Sequence, residues 1–187
     1  HVNDVTTHER LLAKTINFML IYGGGIEKLA TMTKRSWKEA KELREFYFGR
    51  LPKIGKFIDA VRRQASTTLS LFNWYGRCYT FDNPDMTHTT APNWLIQGGC
   101  AEVLKIALIR INAHLKDKKA RTRLVLNIHD EAPTELHSSE LELGPEIVKI
   151  MESVYVGQHL RLTAGPAFSW KNLADKEDGY PTSVISA

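Results

Sequence analysis

Apolar residues recur at helical intervals through residues 8–22, and just ahead of them Thr6 is followed three positions later by Glu9, the pattern of a capping box. A helix is predicted there, ended by the run Gly23-Gly24-Gly25. Two further helical stretches, 34–47 and 54–66, meet near Leu51-Pro52 and keep most of their lysines and arginines on exposed faces. Residues 71–81 gather Tyr75, Cys78 and Tyr79 around Gly76-Arg77 and predict a short hairpin, followed by a loop holding Pro84 and Pro92. From 93 to 115 the residues Leu95, Ile96, Val103, Leu104, Ala107, Leu108, Ile111 and Leu115 trace the longest helix. Aliphatic and β-branched residues then dominate 123–128, and 132–136 can return beside them, giving a β-hairpin whose turn carries His129, Asp130 and Glu131. Pro145 is placed to begin a helix to about Val154, and beyond Gly165 the chain passes into a polar tail.

No internal repeat, low-complexity segment or Pro/Gly/Ser-rich linker divides these elements, so they predict one packed unit. With 43% hydrophobic and 25% charged residues among 187, the chain has the make-up of a soluble globular protein and not of a disordered one. A net charge of +4 suits a polyanionic partner without requiring one. Two cysteines, Cys78 and Cys100, make no disulfide framework and are expected as buried thiols in a reducing interior. Lys105, Arg110 and several glycines break the apolar runs and no signal peptide is legible, so the expectation is no membrane association and an intracellular setting, the cytoplasm of a bacterium or an infected host. The opening His1, in place of Met, suggests a piece of a longer chain.

Three groups of residues bear on chemistry. Arg10, Lys14, Phe18 and Tyr22 fall every fourth position, a stripe about 18 Å long on a helix. Two cations followed by two aromatics match the division of a nucleoside triphosphate into a polyanion and a flat base. An amphipathic helix with Phe18 and Tyr22 in the core has the same spacing. His129-Asp130-Glu131 sits where a turn lets neighbouring carboxylates reach one site, and hard carboxylate oxygens suit Mg²⁺. A solvated acidic turn reads identically. Asn93 and Gln97, one helical turn apart, are spaced to read a minor-groove base edge or to cap a helix. The basic cluster Lys116, Lys118, Lys119, Arg121 and Arg123 fits either phosphate contacts or a solvated loop, and takes no specific role.

Taken together, these segments resemble the conserved motifs of the family A DNA polymerases. Residues 10–23, Arg10-Leu-Leu-Ala-Lys14-Thr-Ile-Asn-Phe18-Met-Leu-Ile-Tyr22-Gly23, resemble motif B, the O-helix of the fingers. Asn93-Trp-Leu-Ile-Gln97-Gly98 resembles a later palm helix, and Leu126-Asn-Ile-His129-Asp130-Glu131 resembles motif C. They occur in the family's order, and the likeness runs from about residue 3 to about residue 174.

The resemblance implies an α+β fold in which a helical fingers subdomain, about 3–70, packs with part of an antiparallel-sheet palm, about 71–175, before a tail at 176–187. It implies template-directed DNA synthesis by a two-ion Mg²⁺ mechanism, with primer-template DNA and dNTP as partners. Arg10 and Lys14 are then expected on the triphosphate, Phe18 on the sugar and base, and Tyr22 on the nascent pair or template base. Asn93 and Gln97 are expected on the primer-template. Asp130 is the expected metal ligand, Glu131 an auxiliary acid and His129 a support for the primer end. Phe18 in place of tyrosine implies discrimination against dideoxynucleotides.

Departures from the pattern matter equally. Motif A, bearing the other metal-binding aspartate, is missing from the sequence, as are thumb and exonuclease segments, so an upstream polymerase portion is an expected partner and the chain by itself is expected to be inactive. Met19 stands where bacterial relatives commonly have glycine, and Thr89 where many have arginine. Gly23-Gly24-Gly25 and the segment from Gly165 to Trp170 look phage-like. Two rival readings stay open. A single-subunit RNA polymerase usually lacks the glutamate after His-Asp, and a non-catalytic fragment would bind primer-template without turnover.

Overall fold

The structure is a computed structural model that describes residues 5–155, 161–169 and 174–180, where six helices and three two-stranded antiparallel sheets are found. The composition is therefore α+β. Trp170 and the tail residues 181–187 lie outside the described residues. Two compact units, His1–Gly99 and Cys100–Ala187, replace the single unit that the absence of a linker predicts. Their boundary falls inside a continuous helix, so no linker composition marks it.

In the first unit the capping box sets the start of α1, Thr7–Ile21. Glu9 donates its amide to the Thr6 hydroxyl at 3.2 Å, while the Glu9 carboxylate accepts the Thr6 amide at 2.8 Å. Helix α2, Ile26–Thr33, was not legible in the sequence pattern, and α3 runs Trp37–Arg50 where 34–47 was expected. Lys34, at φ 52°, turns the chain between them, and a second capping box of Ser36 and Glu39 starts α3. Pro52 opens α4, Pro52–Thr68, at a position where its missing N–H costs nothing. Met19, Leu20, Leu29 and Ala40 form a core joining α1, α2 and α3. Met19 occupies the space beside Gly24, where an added Cβ would lie 2.3 Å from its Cγ.

The expected hairpin is present as β1, Ser70–Phe72, and β2, Cys78–Thr80, with Ser70 opposite Thr80. Asn73 closes its turn by accepting the amides of Tyr75 and Arg77 at 2.9 and 3.0 Å. Val61 and Ala65 of α4 pack with Leu71, Phe81, Ala91 and Leu95 in a second core.

The loop expected around Pro84 and Pro92 is instead helical, and α5 spans Pro84–Asp117. Asn83 caps it by accepting the Met86 amide at 3.1 Å, with Pro84 at the tolerated first position. Pro92 survives inside the helix because the carbonyl that lost its donor, that of His88, accepts Arg62 Nε at 2.7 Å.

In the second unit Ile111 and Leu115 of α5 pack on Leu143 and Ile147 of α6, Leu143–Ser153. Glu146 of α6 ties the two helices by accepting His114 Nε2 at 2.6 Å and Lys118 Nζ at 2.8 Å. Strand β3, Arg123–Leu124, pairs with β4, Thr134–Glu135, a shorter ladder than 123–128 and 132–136 predict. Past Gly165, β5, Ala167–Phe168, pairs with β6, Glu177–Asp178, within the stretch expected as polar tail. The cysteines differ from expectation: Cys78 and Cys100 are both free and exposed, one on a hairpin strand and one on an outward face of α5. No helix among the described residues is long and apolar enough to cross a membrane.

Candidate functional site

The stripe on α1 points away from the core. Met19 and Leu20 supply the buried contacts of that helix, while Phe18 remains 43% exposed. Tyr47 of α3 holds the inward side by donating its hydroxyl to Asn17 Oδ1, and burial pushes the Tyr47 phenol up, which keeps it a neutral donor. On the outward side the Phe18 and Tyr22 rings stack with centroids 5.8 Å apart and planes 3° from parallel. Lys14 Nζ lies 5.8 Å from the Phe18 centroid, and among the described residues Arg10 has no ion-pair partner. Four side chains of the predicted types thus share one accessible surface, with cations at one end and a flat apolar pair at the other. A core role for Phe18 is excluded by its exposure.

The stripe ends on a rigid base. Gly23 adopts φ +85°, and a Cβ there would meet Arg62 Nη2 at 2.5 Å and the His88 carbonyl at 3.0 Å. Only glycine lets the chain leave α1 so close to the Arg62–His88 bond.

Asn93 and Gln97 lie on the third and fourth turns of α5, deeper in the helix than the sequence predicts. Gln97 is exposed, and Asn93 Oδ1 is buried without a hydrogen-bond partner. An orphaned amide oxygen of this kind costs about 1–3 kcal/mol and is normally satisfied by a donor. Beside them the β1–β2 hairpin seats on glycines: a Cβ on Gly99 would lie 2.2 Å from Trp74 Cζ2, and one on Gly98 would lie 1.9 Å from the Tyr79 hydroxyl.

In the second unit the acidic turn is as tight as the sequence requires. Ile128 bridges Glu131, with Glu131 donating its amide to the Ile128 carbonyl at 2.8 Å, so His129 and Asp130 form the two-residue loop. His129 takes φ 52°, which lets the chain reverse there. His129, Asp130 and Glu131 are all exposed. The Asp130 carboxylate has no partner among the described residues, whereas Glu131 Oε2 sits 2.5 Å from Lys176 Nζ. Adjacent exposed carboxylates are hard oxygen donors that fit Mg²⁺ as part of a ligand set. No group of three or more metal-ligating His, Cys, Asp or Glu side chains gathers among the described residues, so this pair is a partial set.

The basic cluster does not act as one patch, and Arg121 is held through its backbone amide, which donates to Glu140. Lys118 is engaged by Glu146, while Lys116, Lys119 and Arg123 line a shallow cleft of about 470 Å³. Sequence reasoning missed Arg62, one arginine of an adjacent pair, and Lys176, a single lysine in a polar stretch. Neither carries a local signal, because each acts across the fold.

A family model described as DNA polymerase family A matches residues 1–171. The chain is 31% identical to a DNA polymerase I of Helicobacter pylori over 161 residues, covering 81% of this chain and 18% of that protein. It is 33% identical over 156 residues to a DNA polymerase I of Caldicellulosiruptor bescii, covering 79% of this chain and again 18% of the relative. Among solved structures, the POL domain of Pol1 from M. smegmatis, in complex with DNA primer-template and dNTP, superposes with a TM-score of 0.77 at 28% identity. That alignment covers 83% of this chain and 29% of the other. The chain therefore spans less than a third of the length of each of these proteins.

Proposed function

The chain belongs to DNA polymerase family A, and from that premise we propose that it supplies the fingers, about residues 3–70, and part of the palm, about residues 71–175, of an enzyme that copies a DNA template. The reaction is transfer of a deoxynucleotidyl group from dNTP to a primer 3′-hydroxyl, with pyrophosphate released. The observation that carries the proposal is the outward stripe of α1, with Lys14 against Phe18 and Phe18 stacked on Tyr22.

Each residue then has a physical task. Arg10 and Lys14 hold the triphosphate and stabilise charge that grows on it as the bond to the leaving group lengthens. Phe18 lies against the sugar and base, and Tyr22, stacked on it, meets the nascent pair or template base. Asn93 and Gln97 hydrogen-bond the primer-template, which satisfies the orphaned Asn93 amide. His129 supports the primer end beside the acids. Asp130 and Glu131 would hold Mg²⁺, Asp130 as ligand and Glu131 as auxiliary acid; the ion supplies Lewis-acid activation of the primer hydroxyl and neutralisation of phosphate charge. Two carboxylates are a partial set, so the upstream portion bearing motif A is a required partner.

Primer extension with Mg²⁺ and four dNTPs tests this, comparing the chain alone with the chain plus an upstream fragment that bears motif A. Extension only in the mixture is expected. Its absence from a mixture shown to be folded and associated would leave a primer-template-binding fragment in place of an enzyme.

A further inference from the structure

The Lys176 ammonium reaches Glu131 from a segment that follows residue 171, the last residue the family model matches. That segment is anchored by its own backbone. β6 pairs with β5, Ala167 opposite Asp178 and Phe168 opposite Glu177, and the Gly179 amide donates to the Pro166 carbonyl at 2.8 Å. Tyr180 adds a contact to α6, where a Cβ on Gly144 would lie 3.2 Å from its ring. Lys176 is therefore delivered to Glu131 from the position next to β6, and the pairing of β6 with β5 does not depend on the ion pair.

The pair itself is open to exchange. Lys176 and Glu131 side chains are 34% and 48% exposed, and ion pairs with that access to water are weak. A divalent cation brings twice the charge to the same oxygens and binds the neighbouring Asp130 carboxylate as well. The turn presents two adjacent carboxylates, and Lys176 offsets one of them.

We propose that Lys176 is a positioning residue, an internal counter-cation that orients the Glu131 carboxylate until a divalent cation displaces it, so that metal entry at the turn releases Lys176. This rests on the reading of the turn as a metal site. It adds a metal-responsive contact from outside the matched region to that site.

Two measurements on the intact protein test it without reference to DNA synthesis. In the first, Lys176 is acetylated by an N-hydroxysuccinimide ester and quantified by mass spectrometry against Lys28, which has no ion pair among the described residues. Millimolar Mg²⁺ is expected to raise Lys176 labelling about two- to five-fold, the range set by a weak exposed pair. Glu131→Gln should label fast with or without Mg²⁺. In the second, Mn²⁺ binding is followed by electron paramagnetic resonance: Lys176→Gln should bind about two- to five-fold more tightly, and Lys176→Arg like the native protein. Labelling unmoved by Mg²⁺, with Mn²⁺ binding still lost in Asp130→Asn, would overturn the role of Lys176 and leave the metal site standing. Mn²⁺ binding unaffected by Asp130→Asn would overturn both.

Discussion

Arg62 donates Nε–H to the carbonyl of His88 at 2.7 Å, the oxygen that Pro92, four residues further along α5, leaves without a helical donor. A side chain from α4 thereby replaces a backbone bond and fixes the first turns of the helix that carries Asn93 and Gln97. Burial pushes the Arg62 guanidinium down from its usual value, opposed by Asp59 and reinforced by Arg44, yet an arginine stays charged throughout the working range. Arg62→Ala is expected to lower the unfolding free energy by about 1.5–3 kcal/mol, the worth of a hydrogen bond from a charged donor. In a Pro92→Ala background the loss should shrink, because the restored backbone N–H serves the same oxygen. Urea unfolding of the two single variants and the double variant measures this coupling, and equal losses in both backgrounds would mean that the guanidinium acts elsewhere.

Gly23 answers to the same bond. Its φ of +85° disfavours any side chain, and the added Cβ would stand 2.5 Å from Arg62 Nη2. Gly23→Ala should cost roughly 1–2 kcal/mol from the backbone alone, with more from displacing Arg62. Gly49, inside α3, has nothing within 4 Å of the position an added methyl group would take, so Gly49→Ala should be neutral or stabilise by about 1 kcal/mol. Thermal unfolding of the pair separates them. A Gly23→Ala protein as stable as Gly49→Ala would show that α1 does not end against Arg62.

The candidate chemistry divides between the two units, and two substitutions address it in the complete enzyme. Asp130→Asn removes the charge of the proposed metal ligand without changing the size of the side chain, so extension should be abolished while primer-template affinity stays within a few-fold, about 1 kcal/mol. Near-normal extension by this variant would sink the assignment of the acidic turn. Lys14→Ala removes the cation proposed to hold the triphosphate, together with its contact over Phe18, so the dNTP concentration for half-maximal rate should rise more than the maximal rate falls. An unchanged dependence on dNTP would take Lys14 off the triphosphate.

The α1 boundaries and the turn at His129 and Asp130 were legible because their signals are local: a capping box three residues apart, a glycine run, and acids between two aliphatic stretches. Helix α2 was lost because a left-handed Lys34 joins two short helices with no glycine or proline to mark the break. The start of α5 was lost for the opposite reason. Pro92 reads as a helix breaker, and the compensation comes from Arg62, thirty residues earlier in the chain. The division into two units left no trace because it falls within α5, and Lys176 left none because its partner is fixed only once β6 has paired with β5. The outward aim of Phe18 could be stated only once Met19 and Leu20 were seen to fill the core.

Acid stability should depend on Glu140. Its carboxylate accepts the Arg121 amide at 3.0 and 3.1 Å, the Thr122 amide at 2.8 Å and the Thr122 hydroxyl at 2.7 Å, which pins the turn between α5 and β3. The Arg121 backbone bond, then the Thr122 hydroxyl and amide, draw its pKa from the ordinary 4.5 down to about 2. A carboxyl group whose folded pKa is depressed binds fewer protons folded than unfolded, so its contribution is complete above 4.5 and is lost as pH falls through about 2. Glu140→Gln cannot ionise and accepts these amides with a single neutral oxygen. It should unfold at lower urea than the native protein at pH 6, and the gap should narrow steadily as pH is lowered below 4.5. Urea midpoints taken at several pH values test this: a gap independent of pH would show that the Glu140 charge contributes nothing and that only the shape of the side chain matters.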